Sequence, residues 1–431
     1  MPHVPFERFT LPNGLRIVLS HDDRAPIVAV NLWYDVGSRH ERPGRTGFAH
    51  LFEHLMFSGS AHVAKGEHFQ LIASAGGTNN ASTMNDATNY YETLPSHELE
   101  LALWLEADRM ASLPAAITQE KLDNQRDVVK NERRSAVDNQ PYGTWDEEIQ
   151  ARLYPEGHPY HHPPIGSMQD LSAASLDDVT SFFATYYAPN NAVLTVAGDF
   201  DQPTALAHIE RYFGPIPRNP NLPPHPDMSV DPAFGGGQRG DVFDQVELPR
   251  VHLAHRIPPL GTVGFRAFEV VSDLLGTGRA ARLYRSLVRE QQVAQDVVAF
   301  TFPWAGGSAM LACWATAKPD VPIERAEAAL VAEFDRLATE GPSDAELDRV
   351  RTLHAAEVEG SLEMVSERAD RLSHYTCLLD DPDLINREVE GYADVDRGQV
   401  VEAIGEYSRA DRRLTLTYRP DPDMADEVED P

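Results

Sequence analysis

At 431 residues the chain exceeds a usual single domain, and its 42% hydrophobic and 8% aromatic content suits a protein with large buried cores. A net charge of −30 argues against nucleic-acid binding, which rests on Lys and Arg, and favours basic partners or basic peptide substrates. Cys313 and Cys377 make neither a disulfide framework nor a thiolate metal site, no apolar run is long enough for a membrane span, and the opening MPHVPFERFTLPNGLRIVLS lacks a signal-peptide pattern, so the expected setting is cytoplasmic.

In chain order, LRIVLS and IVAVNLWYDVG alternate as strands. Helical patterns follow at 48–57 and 66–75, then a strand in TNYYETLP and long helices from His97 to about Asn139. A helix near Leu176–Tyr186 and the strand NAVLTVAGDF close this half. A Pro- and Gly-rich stretch then suits a linker at 218–240, dividing the chain into 1–217 and 241–431.

The second half repeats the plan. VHLAHRI is a strand, FRAFEVVSDLLG a helix and SAMLACWATA a strand, followed by two long helices and the strand RRLTLTYRP. Asp108-Arg109 aligns with Asp335-Arg336, and Leu122 and Glu132 with Leu347 and Glu357, which suggests an internal duplication. Strands and helices without regular βαβ alternation give the expected class: α+β, with two homologous sandwich-like domains, each a mostly antiparallel sheet packed with helices.

The chemistry concentrates in TGFAHLFEHLMFSGS, where HLFEH reverses the zinc-protease pattern H-E-x-x-H. On a helix, His50 and His54 stack on one face and can present both imidazoles to one ion. Zinc accepts neutral imidazole and lowers the pKa of a bound water, and Glu53, at the edge of the same face, is placed as the general base. Spacing alone does not choose the third ligand among Glu92, Glu120, Glu132, Glu147 and Glu148. A rival cluster, GHPYHHPP with His158, His161 and His162, is broken by prolines and is expected to be an ordered loop.

The motifs LPNGLRIVL, VGSRHERPGRTGFAHLFEHLMFSGS, GGTNNAST, TNYYETLP and VVKNERR, with RAARLYRSLVREQQVA in the second half, together resemble the inverzincin peptidases, the family of pitrilysin, insulysin and the mitochondrial processing peptidase. That resemblance implies one zinc ion per chain held by His50, His54 and Glu132, with Glu53 as the base. It implies an edge strand around Asn80 and Ala81 against which an extended peptide is laid. It also implies domains related by a pseudo-twofold axis.

Two departures qualify the resemblance. The auxiliary acidic position found in some relatives is Gln125 here. The second copy lacks the metal motif: Asp273 stands near the position of His54, and Glu357 has no metal partners and is expected at the surface. Relatives also use an Arg and a Tyr from a non-catalytic domain, and the matching positions fall at Met310 and Val321. The expectation is therefore a zinc endopeptidase that is the catalytic subunit of a heterodimer with a homologous non-zinc chain, a homodimer being the runner-up. Its substrates are expected to be unfolded peptides or small proteins. The alternatives are a non-catalytic structural or assembly subunit of the same family and a dedicated precursor-processing protease.

Overall fold

In the computed structural model, residues 3–407 and 409–422 are described. The strands form two sheets. The first joins β1 (Glu7–Thr10), β2 (Arg16–His21), β3 (Ile27–Tyr34), β4 (Thr78–Thr83), β5 (Thr88–Pro95) and β6 (Ala192–Gly198) in the order β1-β2-β6-β3-β5-β4. The second joins β7 (Arg239–Asp244), β8 (Arg250–Ile257), β9 (Ala294–Phe302), β10 (Ala309–Ala317) and β11 (Arg413–Pro420) in the order β7-β11-β8-β10-β9. Without β1 the two orders agree strand for strand. In each sheet one pair is parallel, β2 with β6 and β7 with β11, and the rest are antiparallel. The α+β class and the duplicated plan expected from the sequence are thus present as two copies of one topology.

The compact units interleave along the chain. The first comprises Met1–Arg134, His162–Pro226 and Glu357–Arg387; the second comprises Ser135–His161, Asp227–Ala356 and Glu388–Pro431. The sequence pointed to one cut near the Pro-rich stretch, whereas each unit borrows a segment from the other half. The reason lies in packing. The helix Val365–Leu379 lies on the first sheet, where Val365 and Ala369 cover Ala29 and Ala197. Asp370 Oδ1 pins it there, accepting from Asn31 Nδ2 at 3.0 Å, Trp33 Nε1 at 3.1 Å and Asn89 Nδ2 at 2.9 Å. In return the helix Trp145–Leu153 lies on the second sheet, with Trp145 stacked on His252 at 5.7 Å and Thr144 Oγ1 2.8 Å from Tyr418 Oη. The stretch read as a linker also ends early, because Arg239 and Gly240 already pair with Thr415 and Leu416 in β11.

Both faces of the first sheet are covered, so β3 is buried from Val28 to Tyr34 and reads as a nearly continuous apolar run. The opposite face receives Leu103, Leu105 and Met110 of the helix Leu99–Ala116 and the apolar face of the HLFEH helix. That helix, Phe48–Leu55, has only eight residues, too short to persist alone. Phe48, Leu51, Phe52 and Leu55 are buried, at about 1.5–3 kcal/mol per fully buried side chain, and this burial decides that the helix forms. Among the described residues no helix is long and apolar enough to cross a membrane.

Candidate metal centre

The helices Phe48–Leu55 and Gln119–Arg133 pack together in the first unit and bring His50, His54 and Glu132 to one point. His50 Nε2 lies 3.4 Å from His54 Nε2, His54 Nε2 lies 3.2 Å from Glu132 Oε2, and His50 Nε2 lies 3.6 Å from Glu132 Oε1. Ligands about 2.0 Å from a tetrahedral zinc stand about 3.3 Å from one another, so the three donors fit three corners of that figure. A shared cation turns three mutually repelling lone-pair groups into ligands. The ionisation states agree: burial holds His50 down to about 4, neutral at ordinary pH, and the contact with His54 holds the Glu132 carboxylate low. With Nε2 facing the other donors, the His50 proton belongs on Nδ1, which is buried without a hydrogen-bond partner.

Glu53 leaves the same helix towards the sheet. Its Oε2 accepts from Thr83 Oγ1 at 2.6 Å, which ties the carboxylate to β4. Burial raises the Glu53 carboxyl, against the pull of Thr83 and His54. Asn80 and Ala81 lie on β4 opposite Tyr91 and Tyr90 of β5. β4 ends the sheet, so among the described residues its other edge has no strand beside it.

The other candidates for the third ligand fall elsewhere. Glu120 is exposed in the first turn of its helix, and Glu147 and Glu148 belong to the second unit. Glu92 is buried with His68 and Glu106 around Arg109, whose guanidinium pairs with Glu106 and lies 3.7 Å from Glu92. A fixed cation already fills that cluster. A third group, Asp35, His40 and His225, also converges. Arg39 donates to His225 Nδ1 and the Gly37 N–H to His40 Nδ1, which puts both imidazole protons on Nε2 and removes those nitrogens as ligands. The GHPYHHPP histidines face the backbone: His158 Nε2 lies 3.3 Å from Met228 O and His161 Nδ1 2.8 Å from Tyr154 O. An ordered loop was the expectation for them.

In the second copy, the helix Val263–Gly276 carries Asp273, which accepts from Tyr392 Oη and Thr277 Oγ1, both at 2.6 Å. Glu357 is exposed. Met310 is wholly buried in the core of the second unit, and Val321 is half-buried against it. Two residues of the site escaped notice in the sequence: Thr83, within the quoted GGTNNAST, and Glu41, within HERPGR.

Two copies of one α+β unit, one of them bearing an inverted His-His-Glu cluster beside a carboxylate, define the class of two-domain zinc-peptidase folds. Residues 16–158 match the family model described as Insulinase (Peptidase family M16), and residues 173–353 match Peptidase M16 inactive domain. The chain belongs to the M16 peptidase family. The zinc protease PqqE of Helicobacter pylori is 29% identical over 424 residues, covering 96% of this chain and 93% of that protein. The uncharacterized zinc protease ML0855 of Mycobacterium leprae is 31% identical over 67% of this chain and 64% of its own length. The crystal structure of a protease from Helicobacter pylori superposes with a TM-score of 0.91 at 27% identity, covering 97% of this chain and 100% of that one.

Proposed function

We propose that this chain is a zinc-dependent endopeptidase acting on extended segments of unfolded peptides or small proteins. The observation that carries the reading is the tetrahedral spacing of His50, His54 and Glu132 with the Glu53 carboxylate on the same helix. When bound, the ion supplies Lewis acidity that polarises the scissile carbonyl and acidifies the attacking water. Glu53 takes the proton of that water and returns it to the leaving amine, while Thr83 keeps the carboxylate from turning away. The open edge of β4, at Asn80 and Ala81, pairs with the substrate backbone, an attachment that makes little demand on sequence. The net charge of −30 favours basic peptides.

The positions matched to the family's Arg and Tyr hold Met310 and Val321, neither of which can donate a hydrogen bond to a substrate carbonyl from its side chain. We therefore read the chain as the catalytic partner in a heterodimer with a homologous non-zinc subunit, with a homodimer second. Both cysteines are buried free thiols, which supports a reducing, cytoplasmic setting.

Glu53→Gln tests the chemistry. It is expected to keep zinc and lose hydrolysis by roughly a hundred- to ten-thousand-fold. Full activity in that variant would overturn the reading; no zinc-dependent hydrolysis by the unaltered chain, alone or with a partner, would favour a structural or assembly subunit. Equal peptidase rates for the zinc-loaded chain alone and mixed with a candidate partner would overturn the heterodimer.

A further inference from the structure

Glu41, ahead of the metal helix in SRHERPGRTGFAHLFEH, takes no part in the chemistry above, yet its side chain is wholly buried. Its Oε2 accepts from the Gly47 N–H at 2.8 Å and its Oε1 from the Ala49 N–H at 2.7 Å. A helix leaves its first N–H groups without internal partners, and a Ser, Thr, Asp or Asn at the N-cap usually serves them. Here the N-cap is Gly47 at φ 84°, which brings no side chain. A Cβ at that position would stand 2.9 Å from Ile165 O, so a capping side chain cannot be placed there. The Glu41 carboxyl from upstream does the capping instead, its two oxygens accepting from the backbone at the start of the helix. Burial pushes this carboxyl up to about 8, and the backbone donors at Gly47, Phe48 and Ala49 pull it down.

A second anchor fixes the same entry. Asp170 Oδ2 accepts from Thr46 N at 2.9 Å and Thr46 Oγ1 at 2.7 Å, and Thr46 Oγ1 accepts from Ser167 N at 3.0 Å. Ala49 immediately precedes His50, so the clamp holds the turn that carries the first histidine.

We propose that Glu41 is a positioning residue for the metal centre: by clamping the first turn of Phe48–Leu55 through Gly47 and Ala49, it sets the spacing of His50 and His54 and hence the affinity for zinc. The inference rests on the zinc reading above. Glu41 touches neither ion nor substrate in this role. A carboxamide turns an NH2 towards one of the two backbone donors, losing one hydrogen bond and placing two donors face to face.

The test uses the full chain with Glu41→Gln and Glu41→Asp. Zinc affinity is read by competition with a chromophoric chelator, and site geometry by the visible spectrum after cobalt(II) substitution. Glu41→Gln is expected to bind zinc about ten- to a hundred-fold more weakly, the range known for outer-shell supports of metal ligands, with an altered cobalt spectrum. Glu41→Asp, which keeps the carboxyl group but is one methylene shorter, is expected to fall between it and the unaltered chain. Unchanged affinity and spectrum in Glu41→Gln would overturn the inference whatever the melting temperature. Should that variant fail to fold, unchanged values in Glu41→Asp would do the same. An unaltered chain that takes up no zinc would instead overturn the functional reading, and this inference with it.

Discussion

The helix Phe48–Leu55 and its counterpart Val263–Gly276 occupy the same place in two copies of one topology, as the first α-helices after β3 and β8, yet they carry opposite chemistry. In the first, His50 and His54 meet Glu132 with their lone pairs turned towards one another. In the second, Asp273 accepts from Tyr392 and Thr277, and among the described residues it belongs to no group of His, Cys, Asp or Glu side chains that could hold an ion. A buried histidine shows the same contrast. His50 has ligand-type neighbours, whereas His252, beside Trp145 and Trp314, has no hydrogen-bond partner on either nitrogen. The fold therefore specifies the position of a helix and leaves its chemistry to the side chains on one face. The second copy keeps the scaffold by satisfying or burying what it no longer uses.

The largest expected effect breaks the first copy. His54→Ala is expected to lower bound zinc, measured by elemental analysis, from one per chain to none, and to cut hydrolysis by at least about a thousand-fold. Zinc retained at one per chain would refute the assignment.

Next comes the acid response of the second copy. Burial holds His252 down to about 3, below its unfolded value of about 6.5, so the unfolded chain binds the extra proton between those values. Its contribution is complete above about pH 6.5 and shrinks as pH falls, by roughly 3 kcal/mol at pH 4. His252→Leu is therefore expected to unfold less readily than the parent in denaturant at pH 4, with the gap closing at pH 7. Parallel stability curves across that window would count against this account.

The smallest expected effect strikes the position matching His54. Asp273→Ala removes two side-chain hydrogen bonds, a loss of about 1–3 kcal/mol seen as a lower denaturation midpoint, with hydrolysis by the folded chain unchanged. A large drop in turnover at saturating zinc would show that the second copy is coupled to the chemistry.

Much of this was legible in the sequence, for identifiable reasons. β2, β3, β5, β8, β10 and β11 announce themselves because alternating or continuous apolar runs record burial directly. HLFEH is visible because both histidines share a helical face. Spacing could not select Glu132 as a candidate ligand, since a donor on a distant helix leaves no local periodicity; the resemblance through VVKNERR implies it. The interleaving was hidden for a similar reason. Trp145–Leu153 and Val365–Leu379 are ordinary amphipathic helices, and nothing local says which sheet an apolar face will cover. β9 leaves only a weak pattern, because AQDVVAFTF sits at a sheet edge and is only partly buried. Glu41 escaped because capping from outside the helix does not follow the usual N-cap spacing.

The reciprocal loan of Trp145–Leu153 and Val365–Leu379 gives the chain the character of a domain-swapped dimer fused end to end. Severing the peptide after Pro226 would not yield two independent proteins. The leading fragment would bare Ala29 and Ala197, and the trailing one would uncover His252 and Tyr418. Mixed together, the fragments would restore each other's missing roof. Each half of the sequence thus covers a sheet of the other, although His50, His54 and Glu132 all lie in the first.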